Sequence, residues 1–344
     1  MSARMRLLLL LFLAAALAAA PEPAASDAAG PLPPVTGPAL AGPTQLHLVI
    51  SGSPPYIYDV DAGSVRSVAT VAGALDSWVR PSGNGAFVSR WGCCRSRAAS
   101  YRIHLDGSVE RLAAGGSMAP AFRSSAIWRL RRGADGMCRL ELLPSSRRAV
   151  VAPCAPLAGA AEGGVLMWTS SGQRLVDARS GTVREQAAVI VPLGSGLLFE
   201  ETGDASHGGG ALGLVDLATG TRRRVGRPSI LRGLDEVVPA PHSQLVAVGF
   251  ADPAYPGPAQ ALDVWILDTA SGRYSHLPGM PAQVDLKFSS MAWAPDGRLV
   301  LLLQGGGRTV VGVWRPGALE LPLRVVDLPE HTGGSDTFVP LLGP

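Results

Sequence analysis

The chain has 344 residues, of which 30 are basic and 27 acidic, for a formal net charge of +3 at pH 7. That balance creates no strong field to gather nucleic acid or an anionic membrane surface, so neither is expected as a partner. All but one of the basic residues are Arg, and the exception, Lys287 in DLKFSS, follows no glycine loop, which excludes lysine-dependent phosphate-loop chemistry.

At the N-terminus, Arg4 and Arg6 precede Leu7–Ala20, an unbroken apolar run. It is shorter than the ~20 residues that span a bilayer comfortably. Small residues around Ala16–Ala20 offer cleavage sites, so residues 1–20 read as a secretory signal peptide, with a retained N-terminal anchor as the alternative. Cleavage removes two positive charges and no negative ones (+3 − 2 = +1), leaving a nearly neutral mature chain. The expected location is secreted or extracytoplasmic, in the cell envelope, with no membrane span in the mature protein. Residues 21–44 are rich in Ala, Pro and Gly and read as a flexible linker. The folded domain is expected over 45–344.

Within that domain, many of the 42 Gly and 29 Pro separate short Val/Leu/Trp/Tyr runs, and helical periodicity is hard to find. The pattern predicts an all-β fold with many turns. One turn recurs: Asp59…Gly63, Asp177…Gly181, Asp216…Gly220 and Asp268…Gly272 all read D-x-x-x-G. A mostly apolar run precedes each, and a strand-like run follows. Asp can hydrogen-bond loop backbone groups, and Gly accepts the left-handed conformation that closes a hairpin. Recurrence marks a row of similar small β units.

A second element recurs at 77–89 (SWVRPSGNGAFVS), 237–249 (VVPAPHSQLVAVG) and 291–302 (MAWAPDGRLVLL). Each is a strand, a Pro-containing turn and a second strand. WAPDGRLVLLL resembles the W-S-P-D-G element of the WD40-like (PD40) repeat in TolB-type β-propellers of exported bacterial proteins. The resemblance implies a β-propeller of four-stranded blades and carries no shared catalytic residues. Seven units can be laid out, at roughly 45–72, 75–115, 119–155, 163–188, 189–228, 235–280 and 285–330. Six or eight blades are also compatible with the spacing. The first unit lacks its innermost strand, and DTFVPLL (336–342) is expected to supply it and close the ring, since an open propeller leaves sheet edges unpaired.

Four cysteines remain in the mature chain: Cys93, Cys94, Cys138 and Cys154. Export makes them disulfide candidates. A Cys138–Cys154 bridge would staple the outer hairpin of one blade, while bridges from Cys93 or Cys94 to a neighbouring blade are comparable alternatives. No C-x-x-C spacing or nearby His pair supports a metal, and none is expected.

Other motifs reduce to structure. Gly208–Gly213 matches G-x-G-x-x-G, but a strand rather than a helix follows, so no dinucleotide cofactor is expected. Asp59 and Asp61 in DVDAGS lack the further carboxylates of a calcium loop. Neither G-x-S-x-G nor H-E-x-x-H occurs, and the six His are dispersed. Trp78, Trp265, Trp293 and Trp314 lie in predicted strands, where packing between blades is the default.

In a four-stranded meander a-b-c-d, the a–b and c–d turns emerge on one face of the disc (the turn face). The b–c and d–a connections emerge on the other (the loop face). The b–c connections are long and varied, and binding concentrates on such loops. Trp91, Arg95, Arg97, His207, Tyr255 and Arg308 are therefore expected to cluster there as a ligand or partner site. The reading is a non-catalytic, monomeric scaffold for a protein or cell-envelope ligand, with no cofactor and no catalytic residues. An exported propeller hydrolase or lyase with a channel site is the alternative.

Overall fold

The computed structural model describes residues 32–344 except 53, 69–78, 91–98, 146–147, 204–209, 253–259, 285–289, 306, 330–336 and 344. The signal-peptide expectation lies outside the described residues, as do Cys93 and Cys94. Pro33–Pro344 form one compact unit. Among the described residues there is no helix, hence none long and apolar enough to cross a membrane.

Seven antiparallel sheets form a β-propeller. Blade 2 comprises strands a to d at Val79–Ser82, Gly85–Arg90, Ala99–Ile103 and Val109–Ala114. Blade 3 uses Ser117–Pro120, Ile127–Arg132, Cys138–Leu143 and Val150–Ala152. Blade 4 uses Leu157–Ala161, Gly164–Thr169, Gly172–Asp177 and Val183–Ala187. Blade 5 uses Val189–Gly194, Leu197–Thr202, Ala211–Asp216 and Arg222–Val225. Blade 6 uses Gly233–Pro239, Leu245–Asp252, Gln260–Asp268 and Arg273–His276. Blade 7 uses Ser290–Trp293, Leu299–Gly305, Arg308–Trp314 and Leu323–Val325. Strand a of each blade touches strand a of the next around the ring, so these strands line the central channel.

Blade 1 is built from both ends of the domain. Phe338–Leu342 pairs antiparallel with Leu46–Ile50, with Phe338 opposite Ile50 and Leu342 opposite Leu46. Tyr56–Asp59 and Ser64–Ser67 complete the sheet. The C-terminal segment thus supplies strand a, as expected, and leaves no sheet edge open at the junction.

The core lies between blades, and strand alternation explains it. In strand b of blade 7, Leu299, Leu301 and Leu303 pack toward blade 6. Val300 and Leu302 pack toward blade 1. Both faces are buried, so the strand reads as a continuous apolar run rather than an alternating one. Trp293 and Trp314 pack edge to face with centroids 6.5 Å apart.

Three features were not anticipated or stood among alternatives. Residues 33–44, assigned to the flexible linker by composition, lie along the outer edges of blades 6 and 7. Pro34 bridges Gln283 and Ala39 bridges Leu323, both in parallel. The amide of Leu40 donates to the Leu323 carbonyl, and that of Leu323 to the Pro38 carbonyl, each at 2.8 Å. Val35 is buried between the two blades. Backbone pairing to an exposed strand edge is invisible to composition. Second, Ala282–Val284 takes the outer position beside the first part of blade 6 strand c, which Arg273–His276 leaves open. Third, of the disulfide alternatives, Cys138–Cys154 is present, with Cα atoms 5.2 Å apart.

Candidate functional site

The recurring D-x-x-x-G turns of the turn face satisfy their own backbone. In every D-x-x-x-G turn the Gly amide donates to the Asp carbonyl, at 2.9 Å for Gly63 and Gly181, 2.8 Å for Gly220 and 2.7 Å for Gly272. The four glycines have φ of 62°, 74°, 71° and 73°, the left-handed region. Each Asp Oδ1 accepts the amide two residues on. The Ser180 amide, the Ala218 amide and the Ser271 hydroxyl are the main groups holding the Asp177, Asp216 and Asp268 carboxyls below the ordinary range. These carboxylates serve their own turns.

On the loop face, Trp91, Arg95, Arg97, His207 and Tyr255 lie outside the described residues. The described strands on either side of them in sequence are b and c of blades 2, 5 and 6. Arg308 is described: it opens strand c of blade 7, opposite Gly305, and is exposed. Sequence reasoning missed three other groups on this face. Met137 in the b–c turn of blade 3, Trp168 at the end of strand b of blade 4 and Ile230 in the d–a connection between blades 5 and 6 are 49%, 38% and 78% exposed. On the turn face, Leu319 is likewise exposed. Their only signal in the sequence is a large apolar residue in a turn context.

The channel holds charges that motif reasoning did not find. Near the loop-face end, Arg80 of blade 2 donates to the Ala158 carbonyl of blade 4, passing over blade 3. Burial lowers the Arg80 guanidinium to about 10. At the turn-face end, Arg123 of the blade 3 a–b turn donates to the carbonyls of Leu193 in blade 5 (3.3 Å) and Ala240 beyond strand a of blade 6 (3.1 Å). Its φ of 47° is uncommon for a residue with a side chain. Guanidinium groups therefore link non-adjacent blades near both ends of the channel.

Between them, strand a of blade 6 carries Asp235 and Glu236. The register shifts between Leu234 and Glu236, a bulge that re-aims side chains. Glu236 Oε2 accepts the Met291 amide of blade 7 at 3.1 Å. Burial pushes the Glu236 carboxyl up to about 8, with Asp235 adding to the rise and the Met291 bond opposing it. Desolvation by the surrounding protein also raises the Asp235 carboxyl, although the residue is solvent-exposed. An adjacent acid pair in an otherwise apolar strand, GLDEVVP, was the available signal. Among the described residues no group of three or more His, Cys, Asp or Glu could hold a metal.

On the outer part of blade 6, Asp263 is buried and accepts from Trp265 Nε1 at 2.7 Å. His276 Nε2 lies 2.6 Å from its other oxygen. The Trp265 and His276 rings stack with centroids 4.3 Å apart. Trp265 therefore has a packing and hydrogen-bonding role, in line with its place in a strand.

No protein-family model and no curated protein matches the sequence. Solved structures similar to this chain include one from the mitotic checkpoint complex, at 16% identity and TM-score 0.48, covering 88% of this chain and 92% of that chain. A Bacteroides fragilis protein described as a 6-phosphogluconolactonase is 11% identical, with TM-score 0.47 and coverages of 87% and 99%. A protein assigned as TolB from Agrobacterium tumefaciens is 14% identical, with TM-score 0.43 and coverages of 83% and 100%. The propeller assignment rests on the strand order and inner ring described above, and the function must be argued from the site itself.

Proposed function

We propose that this protein is an exported, non-catalytic propeller that binds a protein or cell-envelope component through its loop face. The observation that carries the reading is the exposure of Met137, Trp168 and Ile230 on connections or strand ends of that face. Binding groups concentrate on irregular connections held by a rigid scaffold, and these exposed apolar side chains sit on such connections or at strand ends of one face. The turn face, by contrast, spends its Asp carboxylates on its own backbone. Arg308 adds an exposed charge to the same side, and the sequence assigns Trp91, Arg95, Arg97, His207 and Tyr255 to b–c connections of the same kind.

The test is affinity capture from the envelope and medium of the secreting organism. The wild-type chain is compared with a Trp168→Ala/Ile230→Asp variant, a Trp91→Ala/Tyr255→Ala variant and a Leu319→Asp variant. A specific partner should be lost with the first two and kept with the third. Loss only with Leu319→Asp would place the site on the turn face and end the proposal.

The acid pair Asp235–Glu236 favours one second reading, a hydrolase or lyase with a channel site. A carboxyl held up to about 8 retains its proton at neutral pH and can act as an acid. Turnover of a glycoside or lactone that Glu236→Gln abolishes, or a stoichiometric, tightly held divalent ion, would replace the scaffold reading with this one.

A further inference from the structure

A cavity of about 1100 Å³ opens on the turn face along the cleft between blades 1 and 2 and reaches blade 7. Its lining combines apolar side chains, N–H donors and the carboxylate of Asp106. Leu341, Leu342 and Pro295 form an apolar floor. His47, Arg66 and His104 form a rim of N–H donors.

Each acid around this rim has one oxygen engaged by other donors. Asp59 Oδ2 lies 3.8 Å from His47 Nδ1, outside hydrogen-bond distance, while Oδ1 accepts the amides of Asp61 and Ala62 at 2.9 Å. Glu110 lies 3.8 Å from His104 Nε2, yet the same oxygen accepts from Arg102 Nη1 at 2.6 Å. Asp106 Oδ1 accepts the Ser108 amide at 2.9 Å. Among the described residues, the guanidinium of Arg66 makes one hydrogen bond, a long one of 3.4 Å to the Leu105 carbonyl. Its charge therefore faces the cleft, with no carboxylate in ion-pair contact among the described residues.

Two glycines make room for these side chains. A Cβ at Gly107 would lie 3.0 Å from Arg66 Cδ. One at Gly343 would run into His47 Nε2. Larger residues at either position would push a donor off the rim.

We infer that this cleft binds a small amphipathic acid, with a carboxylate head on the Arg66–His47–His104 rim and an aliphatic body on the Leu341–Leu342–Pro295 floor. A guanidinium and two ring N–H groups are the donor set that a carboxylate needs, and charge-assisted bonds of this type are the strong ones. The apolar floor rewards a hydrocarbon body, which a bare inorganic anion lacks. The site lies on the face opposite the proposed partner surface, so the two stand or fall separately.

Calorimetric titration of the full chain tests this with three probes sharing one tail: octanoate, octylamine and 1-octanol. Octanoate should bind at least about tenfold more tightly than either of the others. Arg66→Gln and His104→Gln should each weaken octanoate by about tenfold or more while leaving 1-octanol unchanged. Both positions are outside the buried core, so thermal melting should be unaltered, and either variant alone suffices if the other misfolds. Equal binding of the three probes, no octanoate binding, or full octanoate affinity in the correctly folded variants would overturn the inference.

Discussion

Arg324 Nη1 donates to Asp61 Oδ1 at 2.7 Å, joining the outer strand of blade 7 to the c–d turn of blade 1. The same guanidinium reaches the carbonyls of Leu40 (3.2 Å) and Gly42 (2.9 Å). The other side of the Asp61 carboxylate accepts the amides of Thr44 and Gln45, each at 2.7 Å. One ion pair thus fastens the N-terminal strap where the ring closes. It also answers what Asp61 does in DVDAGS: its oxygens hold backbone and Arg324 rather than a cation.

The clamp predicts an acid-sensitive junction. Burial raises the Asp61 carboxyl, but the Thr44 and Gln45 amides, Arg324 and the Thr44 hydroxyl outweigh it and hold the group near 2 against an ordinary 3.8. A depressed carboxyl contributes stability above its unfolded value and loses it as pH falls through the folded one. Asp61→Asn should therefore cost about 1–2 kcal/mol at neutral pH. The gap in melting temperature between variant and wild type should shrink as pH drops from about 4 toward 2. A gap constant across that range would show that the charge is not involved.

Glu236 should behave in the opposite sense. Its carboxyl is raised to about 8 from an ordinary 4.5, so the folded state keeps a proton that the unfolded chain releases. Stability then falls with rising pH between those values. Glu236→Gln keeps an acceptor for the Met291 amide, so it should melt higher than wild type at neutral pH and equally below about pH 4. Melting curves across pH measure this directly.

Ring closure should dominate global stability. Phe338 and Val339 are 3% and 2% exposed and enter the cores on opposite sides of blade 1. Phe338→Ala should cost about 3–5 kcal/mol. Deleting 335–344 should lower the melting temperature further by opening the edge of Leu46–Ile50. A truncated protein that melts like the full chain would refute the closure role.

The recurring turn glycines should not be equivalent. A Cβ at Gly220 meets nothing within 4 Å, whereas at Gly181 it would run into the Val151 carbonyl of blade 3. Gly220→Ala should cost only the left-handed backbone penalty, about 1–2 kcal/mol. Gly181→Ala should cost clearly more, because backbone must move. Denaturant unfolding of the pair would expose equal losses if the neighbouring blade does not matter.

Most blade units, the four Asp–Gly hairpins and the need for a closing strand were legible because each is written within a short stretch of chain, although strand a of blade 4, Leu157–Ala161, falls before the expected 163–188. Period-two apolar runs, left-handed glycines and Pro turns act over a few residues, and repetition multiplies the signal. The channel and the clamp were not legible in this way. Arg80 meets Ala158 across the channel, Arg123 meets Ala240, and Asp61 meets Arg324 at a separation of 263 residues. None of these side chains differs in local context from an ordinary surface Arg or Asp. Linear order thus determined how each blade folds. Only closure of the ring decided which distant residues share the strap, the channel and the blade 1–blade 2 cleft, because those contacts exist only once the first and last strands of the domain are paired.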